Sequence, residues 1–115
     1  MPLPIDISFE DIPHSKAVEE FVTHQVSHLH RICGQIMRCR VSLALGAKHQ
    51  QQGRPFNVHV GVTMPRQTYL SSKASDTDPY VALREAFAHV ERIVVETVRK
   101  HRPSADQQTG LTEEA

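Results

Sequence analysis

The 115-residue sequence predicts an α+β fold in the order β-α-β-β-β-α, a four-stranded sheet with two helices packed on one face. Four segments alternate apolar and polar residues, the period of a half-buried strand. Two others repeat apolar residues every three or four positions, the period of an amphipathic helix. Short polar connections rich in Pro and Gly separate them.

The first strand is "PIDISF", residues 4–9, where Ile5, Ile7 and Phe9 alternate with Asp6 and Ser8. Ser15 follows as a helix N-cap, because its hydroxyl can accept from a free first-turn amide. From there Val18, Phe21, Val22, Val26 and Leu29 mark a helix to about residue 31 or 32, and Gly34 ends it. "IMRCRVSLAL", residues 36–45, predicts a second strand with Met37, Cys39, Val41, Leu43 and Leu45 inward and Arg38, Arg40 and Ser42 outward. "GAKHQQQGRP" is a polar loop, and "FNVHVGVTM", residues 56–64, is the clearest strand in the chain. Gly61 within it marks a bulge or a close approach to the backbone. Pro65 and Arg66 lead to a shorter strand over residues 67–74.

The second helix opens with Thr77 or Asp78 as cap and Pro79 in the first helical position. Tyr80, Leu83, Phe87, Val90, Val94 and Val98 form its apolar stripe, and Pro103 stops it. Residues 1–102 therefore read as one domain, and residues 103–115, with no period and few apolar side chains, as a disordered tail. Short connections between the second, third and fourth strands predict an antiparallel meander, with one sheet face under the helices and the other bare.

Composition narrows the function. A hydrophobic fraction of 39% supports a core, and the absence of Trp argues against a large aromatic ligand platform. Lys plus Arg and Asp plus Glu are 13 each, so the formal net charge is zero. A uniformly basic nucleic-acid binder is excluded, but not one whose charges are segregated. Between residues 31 and 73 the charged side chains are Arg31, Arg38, Arg40, Lys48, Arg54, Arg66 and Lys73, with no acid among them. No secretory leader or stretch of about 20 apolar residues is present. Two cysteines are too few for a disulfide framework, so the reading is a cytoplasmic protein with reduced thiols and no membrane partner.

Catalytic signals are missing: there is no nucleophile elbow, Gly-rich phosphate loop or pair of carboxylates, and the reading is a non-enzyme with no small-molecule substrate and no cofactor. Cys39 and His59 alternate onto opposite faces of their strands. His24 and His28 have a spacing that can chelate zinc, yet no third ligand accompanies them, so no metal site is assigned. The run Arg99, Lys100, His101, Arg102 holds more cations than the helix macrodipole requires at its C-terminus.

The element order, the strand "RCRVSLAL" and the segment "SDTDPYVALREAFAHVERIVVETVRKHR" resemble the ribosome hibernation-promoting factor family, also described as ribosome-associated inhibitor or sigma-54 modulation (S30EA) proteins. The resemblance covers roughly residues 3–102 and is most specific at Asp78, Tyr80, Ala82 and Leu83, then Ala86, Phe87, Glu91 and Arg92. It implies a short-form protein that binds the small ribosomal subunit in the channel between head and body, blocks tRNA and mRNA sites under stress, and contacts rRNA phosphates with basic side chains. Carried over by position, those contacts fall on Arg92, Arg99, Lys100 and Arg102 of the last helix and on Arg38 and Arg40 of the sheet. Family members are commonly basic where this chain has Glu96 and Val98. The chain ends soon after the domain, so on this resemblance no dimerising domain is expected and no unaided pairing of ribosomes. The alternatives are a non-catalytic module docking another RNA or a protein, and a His-based metal-binding module.

Overall fold

Ser15 and Asp78 set where the two helices begin. The Val18 amide donates to Ser15 Oγ at 3.2 Å, and the Tyr80 amide donates to Asp78 Oδ1 at 2.9 Å. Each cap satisfies a first-turn donor that has no partner within its helix. Between and around these points the computed structural model describes residues 3–46 and 53–101, the last of them by its backbone alone. The elements are β1 (Ile5–Glu10), α1 (Lys16–Ile32), β2 (Arg38–Leu45), β3 (Phe56–Met64), β4 (Thr68–Asp76) and α2 (Pro79–His101). The predicted α+β class and the β-α-β-β-β-α order are those of the structure. Most of the polar loop (residues 47–52) and the predicted tail lie outside the described residues.

The sheet order is β1-β2-β3-β4. β2, β3 and β4 form the antiparallel meander, whereas β1 runs parallel to β2 with Ile7 opposite Val41. A parallel pair needs a crossover, and α1 supplies it. Inward residues follow the strand period: Cys39, Val41 and Leu43 on β2, Val58, Val60, Val62 and Met64 on β3. They meet Val22, Val26 and Leu29 of α1 and Leu83, Ala86, Phe87, Val90 and Val94 of α2 in one buried cluster. Burial of each larger aliphatic side chain contributes about 1.5–3 kcal/mol, which holds both helices on the same face.

Met37 departs from the expectation. It is 56% exposed, while Ile36 is 3% exposed and closes the end of the core. β2 begins only at Arg38, so residues 36 and 37 lie outside the regular strand, and the Met37 amide instead donates to the Thr63 carbonyl at 2.8 Å. β4 also runs two residues further than predicted, to Asp76, because β3 pairs with it along the full length from Met64–Thr68 to Phe56–Asp76.

Candidate nucleic-acid interface

The helices cover one face of the sheet and leave the other bare. Strand pairing arranges the bare face in cross-strand rows. Arg38, Thr63 and Tyr69 form one; Asp6, Arg40, Gly61 and Ser71 the next; Ser8, Ser42, His59 and Lys73 a third. A fourth row holds Asn57 and Ser75, whose hydroxyl donates to Asn57 Oδ1 at 2.6 Å. No acid from β2 or β3 enters this face, and the acids of the edge strand β1, Asp6 and Glu10, sit along its margin. Arg38 is half-exposed and its Nε lies 3.5 Å from Asp6 Oδ2. Arg40 is exposed and makes no ion pair among the described residues.

Arg92, Arg99 and Lys100 are exposed on α2, and Arg102 lies outside the described residues. Arg92 stands two residues from both Val90 and Val94, about 200° around the helix from each, so it points away from the sheet. Arg92 and Arg99 line a shallow hollow with Ala88, Glu91, Val95 and Glu96. The predicted contact residues therefore do not form one flat patch. Arg38 and Arg40 occupy the open sheet face, and Arg92 and Arg99 occupy the outer face of the helix layer behind it.

The two groups share an end of the molecule. β1 and β2 begin there, β3 ends there, β4 begins there, and both helices finish there. A hollow lined by Ile32, Cys33, Val95, Val98 and Arg99 joins the two helix termini. Arg31, Arg38, Arg40, Arg66, Arg99 and Lys100 crowd this end, against Asp6 and Glu96. The opposite end carries Glu10, Asp11, Glu19, Glu20, Asp76, Asp78 and Glu85, against Lys16, Arg54 and Arg84. Among the described residues charge is thus separated from end to end, the segregation that a phosphate-binding surface requires.

Arg66 belongs to this basic end, and the sequence reading did not single it out as a contact. It sits in the three-residue connection Pro65–Gln67 with φ 65°, followed by Gln67 with φ 60°. Such left-handed backbone is matched to the twist of a hairpin but is disfavoured for a side chain as large as Arg. An exposed cation held at a strained turn is a candidate contact. The hints in the sequence were the tight Pro65-Arg66 connection between two strand patterns and the place of Arg66 in the acid-free stretch from residue 31 to 73.

The profile of the family described as sigma 54 modulation protein / S30EA ribosomal protein matches residues 5–102. The chain belongs to that family. The family is a ribosome-associated one, in agreement with the resemblance read from the sequence. A search of curated proteins finds no match. Among solved structures, a ribosomal subunit interface protein from Coxiella burnetii is similar at a TM-score of 0.68 and 17% identity, over 84% of this chain and 99% of that one. The Protein Y N-terminal domain from Thermus thermophilus is similar at a TM-score of 0.63 and 16% identity, over 83% and 99% of the two chains. At these identities the likeness is one of fold.

Other chemistry in this S30EA family member is sparse. Cys33 and Cys39 are buried free thiols, and burial pushes the Cys39 thiol up to about 12. That excludes a thiolate at neutral pH, since low-pKa reactive cysteines need cationic or polar surroundings. His28 Nε2 stands 3.6 Å from Glu91 Oε1, bridging the outer surfaces of α1 and α2. Among the described residues no three His, Cys, Asp or Glu side chains are grouped to hold a metal ion. No helix among the described residues is long and apolar enough to cross a membrane.

Proposed function

We propose that this protein is a cytoplasmic hibernation factor that seats on the small ribosomal subunit and blocks tRNA and mRNA positions by occupancy. Membership of a ribosome-associated family over residues 5–102 carries the reading. The basic end supports it, because its cations lie on both faces of a wedge and can meet phosphates on two walls of a cleft at once. Phosphate contacts give affinity that is independent of sequence and falls as salt rises. A-form RNA is met through shape and backbone, which needs no catalytic group and no cofactor.

Salt-varied co-sedimentation with ribosomal subunits, followed by a translation assay, tests the reading. The protein is expected in the small-subunit fraction at low salt, released as salt rises, and inhibitory to translation when bound. Arg99→Glu with Lys100→Glu is expected to abolish sedimentation while the protein stays folded with a modestly lower thermal midpoint, since each cation contributes about 0.3–1 kcal/mol to the helix end. Protein that stays soluble at every salt concentration overturns the proposal. A second reading, a module docking another structured RNA or a protein, draws on Glu96, which sits between Arg92 and Arg99 in their hollow. A single non-ribosomal partner recovered from the wild-type protein and lost on Arg92→Glu would favour it.

A further inference from the structure

Tyr69 is the one Phe, Tyr or Trp side chain on the open face of the sheet among the described residues, and it is 49% exposed. Its position is fixed by a glycine two strand positions away. A Cβ built on Gly61 would stand 1.9 Å from Tyr69 Oη, 2.4 Å from Cζ and 2.9 Å from Cε1. Those three distances belong to a point out of the ring plane and beneath the hydroxyl end of the phenol, not edge-on to it. The phenol therefore lies down across β3 and covers the bare backbone of Gly61, which is buried although it faces the open side. The hydroxyl end of the ring is used by the glycine, and with 49% of the side chain exposed part of the ring face stays free.

The surroundings of that free face are those of a nucleic-acid site. Gly61 pairs with Arg40 on β2, and Thr63, the partner of Tyr69, pairs with Arg38. Lys73 and His59 form the cross-strand row beyond Gly61. The acid within this region is Asp6 on the edge strand, which is held against Arg38. A flat ring with cations along one side matches a base and its flanking phosphates, because every nucleobase has a π-face that can stack on an aromatic ring. A duplex cannot use it, since paired bases expose edges rather than faces.

We propose that Tyr69 is a stacking platform for one unpaired nucleotide of ribosomal RNA, with Arg40 and Arg38 taking the adjoining phosphates. This rests on the ribosome reading and adds to it a contact of a different kind from the phosphate contacts at the helix end. Gly61 is a positioning residue, since its missing side chain lets the ring lie flat.

The test uses the full chain and a short single-stranded RNA containing 2-aminopurine, whose fluorescence falls when the base stacks. Wild-type protein and Tyr69→Phe are expected to quench it, whereas the same RNA annealed into a duplex, already dim because its bases stack on one another, is expected to dim no further when protein is added. Tyr69→Leu, which still covers Gly61 with an apolar side chain, is expected to lose the quenching and about tenfold in affinity, the typical worth of one stacked base. Gly61→Ala, which lifts the ring without removing it, should lose the quenching as well. Quenching by Tyr69→Leu equal to the wild type, or none by the wild type, overturns the proposal. Chemical probing of rRNA separates its failure from that of the ribosome reading. One unpaired nucleotide should be protected by wild type and Tyr69→Phe but not by bound Tyr69→Leu. A footprint indifferent to Tyr69 sinks the stacking contact alone, whereas wild-type protein that does not sediment with ribosomes sinks both.

Discussion

Asp6 holds Arg38 across the edge of the sheet, its Oδ2 lying 3.5 Å from Nε, while Arg40 on the same strand face has no such partner among the described residues. Both members of the pair are about half-exposed, so the attraction is screened and contributes at most about 1 kcal/mol to stability. Its larger effect is on partner charge. Asp6→Asn should leave thermal unfolding nearly unchanged and shift ribosome binding to higher salt, because Arg38 is released to a phosphate. Arg40→Glu should weaken binding more than Arg38→Glu, whose charge is already half compensated. Co-sedimentation of the three variants across a salt series checks the order, and an unchanged Asp6→Asn midpoint would refute it.

Arg66 separates stability from binding. Its left-handed backbone, with φ 65°, suits Asn better than Arg, because a short polar side chain tolerates that region. Arg66→Asn is therefore expected to keep or slightly raise the unfolding free energy, by up to about 1 kcal/mol. The same substitution should lower ribosome affinity and reduce the slope of log affinity against log salt by about one contact's share. Urea titration and salt-varied binding on one variant give both readouts.

Gly61 and Tyr69 should be energetically coupled. Gly61→Ala forces the ring aside, and the hydroxyl end of a side chain can give way, so folding survives with a modest loss. With Tyr69→Ala already in place the clash is gone, and Ala at position 61 should suit a strand better than Gly. The double-mutant cycle should show a non-additive term of about 0.5–3 kcal/mol with the double variant more stable than the sum predicts. Additive losses would place the ring elsewhere.

Cys39 predicts behaviour in alkali. Its folded pKa of about 12 lies above its ordinary value of 9.0 because burial disfavours the thiolate. The raised value means that the native state holds the proton more tightly, so this contribution is complete below about pH 9 and is lost as pH climbs toward about 12. Cys39→Ser or Cys39→Ala should flatten the alkaline decline of stability over that window. A thiol reagent at pH 8 should leave Cys39 unmodified in native protein and modify it once urea unfolds the chain.

Much of this architecture is written in local pattern. Strand alternation and helical stripes depend on neighbours in the chain, and Ile5 to Phe9, Val58 to Met64 and Tyr80 to Val94 all lie on the faces that their periods indicate. The Asp78 cap and Pro79 are equally local. Met37 went astray because an alternating pattern does not say where a strand starts, and a hydrogen bond to Thr63 outside the regular strand set that boundary. Parallel placement of β1 beside β2, and the meeting of Arg66 with Arg38 and Arg99 at one end, depend on connections between distant segments. The close approach at Gly61 was legible, but its occupant was not, since Tyr69 reaches it only through the register of β3 against β4.

The separation of acids and bases among the described residues gives this part of the molecule a dipolar charge distribution. Toward a polyanion such a body feels little pull at long range, because charge–dipole attraction decays faster with distance than charge–charge attraction and is soon screened by salt. Close in, the same field turns it, presenting the end with Arg66, Lys100 and Arg99 and holding the acidic end away. Recruitment should then be slow and orientation strict. Under the ribosome-binding proposal, the protein is expected to bind free RNA poorly and to commit where a recess admits it end-on.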